Sequence, residues 1–89
     1  MNIQLGDEAV KKLYEVILKL DSVEDCKALF EDLCTYKEIE QMAQRVEAAA
    51  LLKQGMTYNK VIEQTDISSA TLSRVSRALQ FGEGYKKFV

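Results

Sequence analysis

Residues 58–81 read YNKVIEQTDISSATLSRVSRALQF, two short runs parted by Asp66-Ile67-Ser68. In the second run Leu72, Val75 and Leu79 recur at helical spacing, which is a reason to bury one face. The remaining face offers Ser68, Ser69, Thr71, Ser73, Arg74 and Arg77, and no acidic residue falls anywhere in 68–81. A solvated surface helix normally mixes both signs of charge. Two short helices joined by a tight turn, the second presenting hydroxyls and guanidinium groups, form the helix-turn-helix arrangement.

The apolar anchors test that reading. With Tyr58 as the first position of the motif, the buried positions fall on Val61, Thr65, Ile67, Leu72 and Val75, four aliphatic residues and one threonine. Two positions depart from the usual pattern. Ile62 stands where a small residue is common, and Asp66 stands where glycine usually makes the turn. Aspartate can adopt the left-handed conformation such a turn needs, less readily than glycine. The outward face is then Ser68, Ser69, Ala70, Ser73, Arg74 and Arg77. Hydroxyls bond to phosphates or base edges, alanine can touch a thymine methyl, and arginine can bridge to guanine or clamp a phosphate. The amides at the helix start can hold a phosphate. Double-stranded DNA is the partner this face fits; the competing reading is a solvated face that merely lacks acids.

Upstream of the motif the chain reads as helix throughout. A first run, about Asp7 to Leu20, carries Ala9, Val10, Leu13, Tyr14, Val16, Ile17 and Leu20 on a broad apolar face, with Asp7 and Glu8 where the helix dipole favours negative charge. Ser22 with Asp25 resembles a capping box and opens a run with Val23, Cys26, Leu29, Phe30 and Leu33. Thr35 with Glu38 is a better box, because glutamate can reach back to the cap's amide. It opens a long helix with Ile39, Met42, Ala43, Val46, Ala49, Ala50 and Leu52, closed near Gly55. Thr57 can cap the helix YNKVIEQT, the next starts at Ser68 or Ser69 and runs to about Gln80, and a short tail, GEGYKKFV, follows. The organisation expected is one domain over 1–89, with dimerising helices in 1–55, the helix-turn-helix in 57–80 and the tail in 82–89. Apolar faces this broad are more than one small chain can bury on itself, so a homodimer joined through its N-terminal helices is the economical solution. A compact monomer is the alternative.

Composition narrows the function. A chain of 89 residues with 47% hydrophobic residues and no proline is one small, ordered domain. No run approaches a membrane span, and MNIQLGDEA has no signal-peptide character, so the expected location is the cytoplasm and no membrane partner is expected. With no histidine, a serine or cysteine nucleophile lacks its usual base and a metal site lacks its commonest ligand. No enzyme, metal or cofactor is expected. Cys26 and Cys34 read as two small buried apolar residues, too far apart for a bridge if they share a helix. The net charge of −2 is unevenly spread. Residues 1–40 hold ten acidic against five basic side chains, and 41–89 hold seven basic against four acidic, giving −5 and +3. Local positive charge is what a phosphate-binding face requires.

The segment 45–79, RVEAAALLKQGMTYNKVIEQTDISSATLSRVSRAL, resembles the core of the Trp repressor family, most sharply at ATLSRVSRAL. It is most similar to the YerC/YecD-like branch, where the likeness covers nearly the whole chain. The resemblance implies an all-α, intertwined homodimer with reading heads at either end. It implies that Ser69 and Ala70 face bases, that Thr71, Ser73 and Arg74 meet phosphates or bridging waters, and that Tyr58 and Asn59 face phosphates from the preceding helix. Arg45 matches the arginine that covers the corepressor's indole once one residue is deleted near Gly55. Two departures fall in that ligand site. Val75 stands where the family has glycine, and Ala78 where it has the ligand-binding serine. A pocket of Arg45, Arg74, Val75 and Ala78 therefore implies a protein for which tryptophan is not the corepressor, with another effector or none.

The expectation is a sequence-specific transcriptional regulator, most simply a repressor, that binds DNA as a homodimer. The alternative is a helical interaction module that keeps the fold without binding DNA; it accounts for the apolar surface and leaves the acid-free face unexplained. Operator and regulated genes are not written in these residues, since serine and alanine contacts suit several base edges.

Overall fold

The computed structural model describes residues 3–89, all-α with no strand among them. Met1 and Asn2, which open the stretch read above as lacking signal-peptide character, lie outside the described residues. The helices are α1 (Ile3–Ile17), α2 (Val23–Leu33), α3 (Tyr36–Lys53), α4 (Tyr58–Thr65), α5 (Ser69–Phe81) and α6 (Gly84–Phe88). No described helix is long and apolar enough to cross a membrane. The chain divides into two compact units, Met1–Thr35 and Tyr36–Val89.

In the first unit α1 starts earlier than its charges suggest. Asp7 and Glu8 lie inside the helix, and its first turn holds no acidic residue. Upstream of Asp7 only Gly6 disfavours a helix, at a cost of about 1 kcal/mol that a helix can carry. The run also ends sooner than Leu20, where the amides of Lys19 and Leu20 reach back three residues to Val16 and Ile17. Ser22 caps α2, its hydroxyl accepting from the Asp25 amide at 3.0 Å. The Asp25 carboxylate accepts from the amide of Asp21 at 3.1 Å, one residue upstream of the amide a capping box would use. Among the described residues of this unit none is buried. Leu13, Val16, Ile17, Leu29 and Phe30 are half-buried, while Tyr14 is 61% and Val23 79% exposed. The cysteines correct an expectation: read as buried, Cys26 is exposed and Cys34 half-buried, and both thiols are free.

The second unit has a core. α3 packs on α4 and α5, α4 on α5, and α6 on α5. Ala48 and Ala49 of α3 meet Val61, Ile67, Leu72 and Val75, each at most 2% exposed. Two alanines at this junction leave room for four branched side chains at close packing. α3 stops where the amides of Gly55 and Met56 bond to the carbonyls of Leu52 and Leu51. That paired Schellman closure needs a left-handed residue, and Gly55 supplies it at φ 92°. The tail does not trail off. Residues 84–88 form α6, and Tyr85 packs half-buried against the core.

Candidate nucleic-acid interface

The reading head is set by local chemistry. Thr57 caps α4, its hydroxyl accepting from the Lys60 amide at 3.3 Å. The helix ends at Asp66, whose φ of 59° and ψ of 21° place it in the left-handed region. Thr65 explains how a polar residue serves at an anchor position. Its hydroxyl donates to the Val61 carbonyl at 2.7 Å and accepts from the Ile67 amide at 3.3 Å, so it stitches the end of α4 to the turn. From α3, the Gln44 side-chain amide donates to the Thr65 carbonyl at 2.9 Å. Val61, Ile67, Leu72 and Val75 are buried and Thr65 half-buried, as the anchor spacing requires.

Ser68 caps α5, accepting from the Thr71 amide at 3.1 Å and donating to the Thr71 hydroxyl at 2.9 Å. Both hydroxyls thus have work inside the chain, and Thr71 is half-buried. Ser69, Ala70, Ser73, Arg74 and Arg77 are exposed on α5, and Tyr58 and Asn59 are exposed at the start of α4. α5 carries two arginines and no acid. Neither Arg74 nor Arg77 is held in an ion pair among the described residues. Such a surface offers unpaired cations and exposed hydroxyls on a helix whose anchors are packed, the combination that meets a phosphate backbone at a fixed register.

Beside this face lies a cleft of about 510 Å³, lined by Gln41, Gln44, Arg45, Thr71, Arg74, Val75, Ala78 and Tyr85. It brings Arg45 of α3, half-buried, together with Arg74, Val75 and Ala78 of α5. Val75 is buried in its wall. Ala78 is exposed, so it is a rim residue and not a core one.

The sequence model of the family described as Trp repressor protein matches residues 8–89. The chain belongs to the Trp repressor family. It is 43% identical over 79 residues to the uncharacterised protein YerC of Bacillus subtilis, spanning 89% of this chain and 76% of that one. A TrpR-like protein from Eubacterium eligens superposes with a TM-score of 0.88 at 40% identity, covering 97% of this chain and 90% of the other. A candidate Trp repressor from Staphylococcus aureus gives 0.84 at 41% identity, covering 89% and 80%.

In this Trp repressor family member three cleft residues escaped the sequence reading. Gln41 lies one helical turn before Arg45 and Gln44 three residues after Gln41, spacings that place neighbours on a helix and could have flagged them once Arg45 was suspected. Tyr85 could not have been found that way. Its place depends on the fold-back of α6, and no periodicity in GEGYKKFV announces it.

Proposed function

We propose that this Trp repressor family member is a cytoplasmic, sequence-specific transcriptional regulator that binds double-stranded DNA as a homodimer, represses, and does not answer to tryptophan. The observation that carries the reading is the exposed, acid-free face of α5 standing on a helix-turn-helix whose anchors are buried. Ser69 and Ala70 are assigned to bases. Ser73, Arg74, Arg77, Tyr58 and Asn59 are assigned to the backbone, and Ser68 and Thr71 shape the helix start that receives a phosphate. The uncovered apolar faces of α1 and α2 support the homodimer, with two heads about 34 Å apart, one turn of duplex, when both read one side of DNA. Selection from a random duplex pool tests the whole reading: one enriched, two-fold symmetric sequence is expected, and a pool that stays random argues for the interaction module instead.

Tryptophan is a poor fit to the cleft. Val75 fills space that glycine would leave beside Arg74, and Ala78 offers no hydroxyl to the charged end of an amino acid. Without that hydroxyl a ligand forgoes one hydrogen bond to a charged group, worth at most about 1.5–3 kcal/mol net, before any clash is counted. Calorimetric titration should show no saturable binding of tryptophan at micromolar concentration. Saturable binding that also tightened DNA affinity would restore tryptophan as effector.

A further inference from the structure

α6 has little reason of its own to be a helix. It is five residues long, and Glu83 at its start makes no side-chain cap hydrogen bond. An isolated helix of that length is not stable in water. What holds it lies outside it. Tyr85 packs half-buried against the core cluster and lines the cleft together with Arg45, Arg74 and Val75. At the other side, the Lys53 ammonium at the end of α3 donates to the Lys86 carbonyl at 3.2 Å. Gly82 permits the approach, since a Cβ there would lie 2.7 Å from the Ala78 carbonyl oxygen and force the turn away from α5. α6 is therefore fastened to α3 and α5, the two helices that carry Arg45 and Arg74.

The cleft itself is a poor enclosure. Gln41, Arg74 and Ala78 on its rim are exposed within the chain. A small molecule seated there would keep much of its surface wet, whereas ligand sites commonly bury about 70–90% of what they hold. The aromatic ring that is firmly part of this site belongs to the protein.

We propose that Tyr85 is a positioning residue for the reading head: by docking α6 against the junction of α3 and α5 it holds Arg74 and the start of α5 in the DNA-competent pose, with no small molecule required. The proposal rests on the DNA-binding reading above. Docking can favour that pose only by the difference in contacts it makes with the docked and loosened heads, so the effect on affinity is moderate. The phenol ring provides it. Among the described residues the Tyr85 hydroxyl has no partner, so phenylalanine should serve as well.

The test measures binding to the DNA selected by the wild type, for wild type, Tyr85→Phe, Tyr85→Ala and Lys53→Met, with and without millimolar p-cresol. Circular dichroism and light scattering verify fold and mass. Tyr85→Ala should weaken binding about tenfold and Lys53→Met about threefold, while Tyr85→Phe stays within about twofold. p-Cresol, the tyrosine side chain as a free molecule, should restore most of the loss in Tyr85→Ala and leave the wild type unchanged. A purely structural role would lower thermal stability in Tyr85→Ala without p-cresol recovering DNA affinity. Folded Tyr85→Ala with wild-type affinity overturns the proposal, as does p-cresol or tryptophan tightening the wild type. If Tyr85→Ala fails to fold, Lys53→Met decides, because Lys53 is exposed and outside the core; unchanged affinity there overturns the proposal. Wild type that selects no DNA sinks the DNA-binding reading and this one with it, whereas wild type that binds beside an unaffected Tyr85→Ala sinks this one alone.

Discussion

α1–α2 and α3–α5 both carry apolar stripes at helical spacing, and the stripes meet different fates. In α3–α5 the stripes close on each other, and Val61 and Leu72 reach 0% exposure. In α1–α2 the same kinds of residue stay half-buried or open, with Tyr14 at 61%. Burial of apolar area is worth about 25 cal/mol per Å², and a protein seldom leaves so much of it unused on two consecutive helices. The difference separates two tasks. The head is packed within one chain, and the proposed homodimer gives the N-terminal helices a second copy to cover them.

The largest expected effect breaks the second half of that contrast. Ile17→Asp puts a charge into the proposed subunit contact, where an unpaired carboxylate costs several kcal/mol. Light scattering should fall from two chains to one of 10.1 kDa, while a dimer that persists would show that the faces of α1 do not make it. Next comes a change to the head. Leu72→Ala removes a fully buried side chain at a cost of about 2–5 kcal/mol, read as an earlier urea midpoint; a cost under about 1 kcal/mol would mean that the head is not closely packed. The smallest effect sharpens the turn. Asp66→Gly relieves a left-handed aspartate and should stabilise by up to about 1 kcal/mol, visible as a small rise in melting temperature. Destabilisation instead would show that the aspartate side chain supports the turn.

Much of the head was legible because its signals are local. Thr57 and Ser68 cap the helices they precede, and α4 spans the YNKVIEQT run. The anchors follow from helical period plus one turn, and Asp66 takes the left-handed conformation its position calls for. The start of α1 was less legible, since Asp7-Glu8 is only a preference and nothing upstream stops a helix. Burial of Cys26 was misjudged because an apolar stripe shows which face is sticky and not what covers it. The site divides in the same way. Arg45, Arg74, Val75 and Ala78 were reached through a family likeness at positions far apart in the chain, and they do line one cleft. Tyr85 entered it through a tertiary fold-back made possible by Gly82, which no short-range pattern encodes.

In the proposed function the α5 face binds the DNA backbone through its arginines, Arg74 and Arg77. Affinity for the selected duplex, measured by fluorescence anisotropy from low to high salt, tests it most directly, with wild type set beside Arg74→Ala and the double variant Arg74→Ala/Arg77→Ala. Each lost phosphate contact should lower the slope of log affinity against log salt by about one unit per head and weaken binding across sequences, with the dimer mass unchanged. Wild-type affinity indifferent to salt, or a double variant that keeps both affinity and slope, would contradict the account.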